Sequence, residues 1–265
     1  FLTGLNAGQV EVTYATGSYS TVKLIDVVDL SNLGGITIVT SGGSNENSGW
    51  SYSNGVIRPT SSSAVNVNVS SVLAKLDINH LTIEASTIMI NSSITSTYVN
   101  DLTLKATANI TVADSKTIST NGGDIIFWAN AADGNSSGHI LMGDGVTLNS
   151  VNGSTSSDLS GGGNIIVAGG SSVDENGYPD GYAQSSSKYG ISLNTTQSDD
   201  KLFSVYSGGG DIRIYGKSTT SGGDSWDRIG VLTRGDLLLN SGTGKVDIRG
   251  VSSNLYGVNF SNPST

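Results

Sequence analysis

One pentapeptide returns with little change: Leu81-Thr82-Ile83-Glu84-Ala85 reappears 21 residues later as Leu102-Thr103-Leu104-Lys105-Ala106. Each copy runs on into a second apolar triplet and then a third short stretch. In the first copy these are Ile88-Met89-Ile90 and the segment around Ile94; in the second, Ile110-Thr111-Val112 and the segment around Ile118. Several short alternating segments per unit, at a period of about 20–30 residues, mark units that cannot bury their inner faces alone and must stack on one another. The pattern predicts an all-β chain folded as a right-handed parallel β-helix (a β-solenoid) over residues 76–265. The handedness is expected from the strong right-handed preference of parallel crossovers.

Later units keep the grammar and stretch it. Ile125-Ile126-Phe127-Trp128 follows Gly122-Gly123-Asp124, and Ile165-Ile166-Val167 follows Gly161-Gly162-Gly163-Asn164. Ile212-Arg213-Ile214-Tyr215 follows Gly208-Gly209-Gly210-Asp211, and Val246-Asp247-Ile248-Arg249 follows Gly242-Thr243-Gly244-Lys245. Glycine before each strand suits a corner with positive φ, and Asp or Asn can close a turn through its side chain. Ile83, Leu104, Ile125, Ile165, Ile212 and Val246 are expected at one sheet position, with slips possible at the Ile125-Ile126 and Ile165-Ile166 doublets. A second phrase, at Gly145 to Ser150, Gly190 to Thr195 and Gly235 to Ser241, is expected to mark another face. Start-to-start spacings of 23, 40, 47 and 34 residues imply loops inserted at 131–138, 151–160, 171–188 and 218–227. In repeat folds such insertions often carry binding.

Residues 1–75 differ in texture: strands are expected at Val10 to Tyr14, Val22 to Ile25, Ile36 to Val39 and Val65 to Val69, in a β-rich module, a cap or irregular first coils. Helical periodicity is weak throughout, its best stretch running over 69–81. Apolar residues make up 36% of the chain, and they come in twos and threes, which favours strands over helices and argues against disorder. The net charge of −9 and the lack of a basic cluster disfavour nucleic acid and anionic lipid as partners. There is no cysteine, and no apolar run of transmembrane length. No basic and apolar leader opens the chain, so Phe1 is read as cut from a longer protein.

The Gly-Gly-Asp-Ile-x-aliphatic phrase, followed by Gly-aliphatic-x-Leu-Asn-Ser, resembles the repeats of filamentous-haemagglutinin-type bacterial surface proteins over about residues 76–260. The resemblance implies a secreted, non-enzymatic adhesin or fibre shaft, exported by outer-membrane machinery and displayed on the bacterial cell surface. Its expected partners are a host or neighbouring-cell surface, a glycan, or copies of itself. It carries no functional residue onto a position of this chain.

The residues themselves point to few sites. Tyr178, Tyr182 and Tyr189 lie in or beside the longest insertion and Trp226 in the last one. Such rings suit stacking on sugars or protein contacts, or they pin their loops to the surface. His80 and His139 stand before predicted strands without partner motifs and read as turn residues. Asp174-Glu175-Asn176-Gly177-Tyr178-Pro179-Asp180-Gly181 departs from a calcium loop at three places and reads as a polar turn. No metal site or cofactor is expected. Asp199-Asp200, Asp224 and Asp227 are the carboxylates weighed for polysaccharide cleavage, which needs two carboxyls across a groove. Three or more carboxylates in one open groove would favour that reading, aromatic loops on one edge adhesion, and end-to-end packing a self-assembling fibre or sheath.

Overall fold

The computed structural model describes residues 8–16, 19–27, 32–132, 137–153, 161–194, 201–219, 228–253 and 256–261. Strands β1 (Gly8–Thr16) and β2 (Tyr19–Val27) form an antiparallel sheet of their own. Next come β3 (Ile36–Val39), the antiparallel hairpin of β4 (Trp50–Ser53) and β5 (Val56–Pro59), β6 (Val65–Asn68) and helix α1 (Val69–Leu76). The helix begins where the alternation of Val65 to Asn68 yields to apolar residues at helical spacing, of which Val72 and Leu76 are buried. No helix of the described residues is long and apolar enough to cross a membrane.

From Leu81 the chain proceeds in units of three strands. The first holds β7 (Leu81–Ala85), β8 (Ile88–Ile90) and β9 (Ile94–Thr95), and the second β10 (Leu102–Ala106), β11 (Ile110–Val112) and β12 (Thr117–Ser119). The third holds β13 (Ile125–Ala129), β14 (Ile140–Met142) and β15 (Thr147–Asn149). The fourth holds β16 (Ile165–Val173), two additional strands β17 (Pro179–Gly181) and β18 (Ala183–Ser185), then β19 (Ile191–Leu193) and β20 (Phe203–Tyr206). The fifth holds β21 (Ile212–Ser218), β22 (Val231–Arg234) and β23 (Leu237–Asn240), and β24 (Val246–Ser252) and β25 (Val258–Ser261) follow.

Equivalent strands of successive units pair in parallel, giving three sheets. One runs β5-β7-β10-β13-β16-β21-β24, a second β3-β8-β11-β14-β19-β22-β25, and a third β9-β12-β15-β20-β23. Because β3 and β5 join the first two sheets, residues 36–59 share the ladders of the repeats. Inward residues of all three sheets, with Trp50, Val72 and Leu76, form one apolar cluster. Leu104, Ile118, Ile125, Phe127, Ile140 and Ile212 are completely buried within it. Burying each such side chain contributes about 1.5–3 kcal/mol.

The corner before the first sheet shows how the glycines and acids work. Asp101 Oδ1 accepts the N–H of Asp124 at 2.8 Å, and Asp124 Oδ1 that of Asn164 at 2.6 Å. Asn164 Oδ1 accepts from Asp211 N, and Asp211 Oδ1 from Lys245 N, both at 2.9 Å. One hydroxyl per unit closes the same corner: Thr120, Ser150, Ser207 and Ser241 donate to the carbonyls of Gly123, Gly163, Gly210 and Gly244. Those last glycines are required by close approach. A Cβ on Gly123 would stand 2.2 Å from Asn100 O, and one on Gly210 2.3 Å from Gly163 O. Positive φ is needed elsewhere in the corner, at Gly122 (106°) and Gly209 (112°).

Three expectations of register and placement are corrected. Ile125, Ile165, Ile212 and Val246 do share one column, but it continues through Leu102 and Leu81. Ile83 and Leu104 belong to the next inward column, with Phe127, Val167 and Ile214. Both columns point inward, so apolar character alone does not tell them apart; the acid at the corner does. The repeated Gly-aliphatic-x-Leu-Asn phrase likewise falls on two sheets. Thr147–Asn149 and Leu237–Asn240 lie in the third, whereas Ile191–Leu193 pairs with β14 in the second. The ladder does not slip at the doublets: Ile125 pairs with Ile165 and Ile126 with Ile166. Ile126 and Ile166 instead face outward, into a second apolar cluster.

Candidate functional site

That second cluster is the foundation of the site. On the outer face of the first sheet, Ile126, Ile166, Ala168 and Tyr215 are buried, with Trp128, Tyr178 and Tyr182 packed against them. The cover comes from the 171–188 insertion. Strand β16 runs on past Val167, where its ladder with β21 stops, and β17 folds back on it, Gly169 facing Gly181 and Val173 facing Pro179. Strand β18 then takes the vacated place beside β21, pairing Ala183 to Ser185 with Gly216 to Ser218. The turn is built by Asp174, whose Oδ1 accepts the N–H groups of Asn176 (2.9 Å) and Tyr178 (3.1 Å), and by Gly177 at φ 84°. The turn's lead carboxylate is thus committed to backbone donors and, through Oδ2, to Arg213 at 2.6 Å.

The rings are anchored through their polar ends. Tyr178 donates its hydroxyl to Asp124 Oδ2 at 2.5 Å and accepts from Asn164 Nδ2 at 3.2 Å, which ties the hairpin to the corner ladder. Burial, then the Asp124 carboxylate, push its phenol up to about 12. Tyr182 meets Tyr215 with ring centroids 6.3 Å apart, and Tyr215 donates to Asp247 Oδ2 at 2.7 Å. Burial, then Asp247, push Tyr215 up to about 12 as well. Trp128 Nε1 donates to Gly170 O at 2.6 Å, while Lys105 Nζ sits 4.8 Å from the ring centroid of Trp128. Lys105 also meets Glu84 Oε1 at 3.2 Å, and Arg58 meets Glu84 Oε2 at 2.6 Å.

Beside the hairpin lies an open cleft of about 330 Å³, lined by Asp174, Asp180, Asp211, Arg213, Tyr215, Lys245, Asp247 and Arg249. Two of its cations are locked to acids. Arg213 reaches Asp174 at 2.6 Å and Asp211 at 3.7 Å, and Arg249 reaches Asp247 at 2.6 Å and lies 4.6 Å from the Tyr215 centroid. Burial works to raise the Asp174 carboxyl, but the hydrogen bonds from Arg213, Tyr178 and Asn176 outweigh it and hold it below its ordinary value. The hydrogen bond from Arg249 leads in lowering Asp247. Both acids are therefore held ionised, whereas a general acid for glycoside cleavage needs its pKa raised.

The expected ring cluster is thus divided. Tyr178 and Tyr182 come together as clamps of the hairpin. Tyr189 stands just ahead of β19 in the second sheet, with Arg234 5.7 Å from its ring centroid. Trp226, Asp199, Asp200, Asp224 and Asp227 lie outside the described residues. His80 and His139 precede β7 and β14. His80 Nδ1 is 2.8 Å from Asp101 Oδ2, and burial followed by the charge of Lys188 lowers the His139 pKa. Sequence reasoning missed Trp128, Arg213, Tyr215, Asp247 and Arg249. Their signal is parity: each occupies an outward position directly after an inward apolar residue of its strand. Among the described residues no group of three or more His, Cys, Asp or Glu is placed to hold a metal ion. Comparison of the chain with protein-family models, curated proteins and solved structures finds no match.

Proposed function

We propose that the chain winds as a right-handed parallel β-helix and serves as a non-enzymatic structural and adhesive segment of a secreted bacterial surface protein of the filamentous-haemagglutinin type. The observation that carries this reading is the register. Seven successive strands of one sheet pair in parallel over a shared core, an arrangement suited to a stiff shaft. Placement outside the cell, export by outer-membrane machinery and partners on a cell surface rest on the resemblance of the repeats. The inserted hairpin clads the shaft, so contacts with a glycan or a cell surface fall to its rim and to the charged cleft beside it, not to projecting rings. The test is attachment of the purified chain to cells and to arrayed glycans, before and after Lys245→Glu and Asp180→Ala in the cleft. Specific attachment weakened by these changes supports the reading; no attachment to any surface refutes its adhesive half.

One observation favours a second reading. The cleft gathers Asp174, Asp180, Asp211 and Asp247, which meets the count of carboxylates expected of a polysaccharide-active groove. Against it stand the ion pairs that keep Asp174 and Asp247 ionised. Depolymerisation of any acidic or neutral polysaccharide, abolished by Asp180→Asn or Asp211→Asn, would establish the enzyme and displace the adhesive account.

A further inference from the structure

The outer faces of the three sheets differ in chemistry. The first carries charge at Glu84, Lys105, Arg213 and Asp247. On the second, Met89 and Leu141 interrupt the column that holds Thr37 and Thr111. The third is uniform along its middle strands. Thr117, Thr147 and Ser204 pair in one column, and Thr95, Ser119 and Asn149 in the next. Ile94, Ile118, Leu148 and Val205 alternate with them and are buried, which turns both columns outward. Strands β9, β12, β15 and β20 contain no charged residue. Leu238 ends the first column and Tyr206 the second.

The pairing makes this face a regular net. No register shift interrupts these strands, so neighbours in a column stand about 4.8 Å apart and the two columns about 6.6 Å apart. Thr95 is exposed, and Thr117, Ser119 and Thr147 are half-buried. Their hydroxyls have no hydrogen-bond partner among the described residues. Threonine is stiff at χ1, which holds its hydroxyl in place before anything binds. Ser204 supplies an independent sign. It is only 6% exposed, yet its hydroxyl has no partner among the described residues either. A buried hydroxyl calls for a partner, and an oxygen seated in the trough between the columns provides one.

We propose that this face binds the ordered water of an ice surface. Each hydroxyl both donates and accepts, as a lattice water does. Oxygen atoms on the prism faces of ice repeat on a rectangular net of closely similar dimensions, so waters held between the columns continue into the crystal. The absence of charge from these strands fits a neutral lattice. Lys201, whose Nζ lies 3.3 Å from Ser115 Oγ, stands at the margin. A sugar chain would call for rings to stack on its faces, and Tyr206 at the end of one column is the only ring in these strands. The inference uses the pairings of the third sheet alone and needs neither the winding nor the cell-surface placement proposed above.

Partition of the full chain into slowly grown ice tests it. The wild-type chain should be enriched in the ice fraction and should slow the coarsening of ice grains in frozen sucrose. Thr147→Tyr sets a ring on the middle of the net and displaces waters it cannot replace, so enrichment should fall about tenfold. Thr103→Tyr, on the outer face of the first sheet, should leave enrichment unchanged. Far-UV circular dichroism is the folding control, and Thr117→Tyr takes the place of Thr147→Tyr if that variant does not fold. Exclusion of the wild-type chain from ice, equal losses in Thr147→Tyr and Thr103→Tyr, or full enrichment of Thr147→Tyr each overturn the proposal. So does binding to an insoluble neutral polysaccharide, lost in Thr147→Tyr, without enrichment in ice.

Discussion

Gly210→Ala is the change that most directly probes the corner stack. A Cβ there would lie 2.3 Å from Gly163 O, 2.4 Å from Gly163 C and 2.7 Å from Asn164 N, all backbone atoms that cannot rotate aside. Ordinary carbon–oxygen contact begins near ~3.3 Å, so β21 must back away from β16 by about 1 Å at this corner. Two hydrogen bonds lie in the path of that movement, Asp211 N to Asn164 Oδ1 at 2.9 Å and Ile165 N to Asp211 O at 2.8 Å. Losing both costs about 2 kcal/mol, and overpacking adds about 1–3 kcal/mol, so the expected loss is about 3–5 kcal/mol. The control is Gly177→Ala. That residue has φ 84° but no atom within 4 Å of a new Cβ, so only the backbone penalty of about 1–2 kcal/mol applies. Urea unfolding followed by circular dichroism and tryptophan fluorescence compares the two in one assay. If Gly210→Ala costs no more than Gly177→Ala, the glycines are not there for close approach and the corner stack is wrong.

Three further outcomes are expected. Leu104→Asp places an unpaired carboxylate at a fully buried position, and thermal melts should show a loss of several kcal/mol, with hydrogen exchange rising first in the neighbouring units. Tyr178 and Tyr215 bind their protons more tightly folded, near 12, than at the ordinary value of 10.0, so their contribution is complete below pH 10 and is lost as pH rises towards 12. Tyr178→Phe with Tyr215→Phe should flatten that alkaline decline in a urea titration. Tyr182→Ala should lower stability by about 1–3 kcal/mol, since the ring packs on the Ile126–Ile166 cluster; an unchanged denaturation midpoint would remove it from the clamp.

Much of the fold is legible in the repeat, because a strand with period-two aliphatics and a small polar corner has few ways to bury itself. The finer register is not, since Leu102 and Leu104 are equally apolar and both face inward. Asp101, aligned with Asp124, Asn164 and Asp211, holds the missing information, and it is obscured because Asn100 stands where later units have glycine. The Ile125-Ile126 and Ile165-Ile166 doublets read as irregularities because the outer face of a sheet is usually wet. They become regular once the 171–188 hairpin covers that face. The candidate site divides the same way. The tyrosines of the insertion are visible as a composition, but whether they project or clamp depends on Asn164 and on Asp124, the latter 54 residues from Tyr178. Arg213, Asp247 and Arg249 become legible from strand parity only after the register is known.

Stacking of the units in parallel order is the central claim, and a distance across the whole stack tests it. Met89 and Asn259 lie at one outward position of the second sheet, linked through Thr111, Leu141, Ser192 and Leu232 by five successive strand pairings. At about 4.8 Å per strand the separation is about 24 Å. The chain has no cysteine, so Met89→Cys with Asn259→Cys carries spin labels at these two places alone, and dilution with unlabelled chain suppresses contacts between copies. Pulsed electron–electron double resonance should give a narrow distribution centred near about 24 Å, widened only by the label linkers. A broad distribution, or a mean near about twice that length, would contradict the stack.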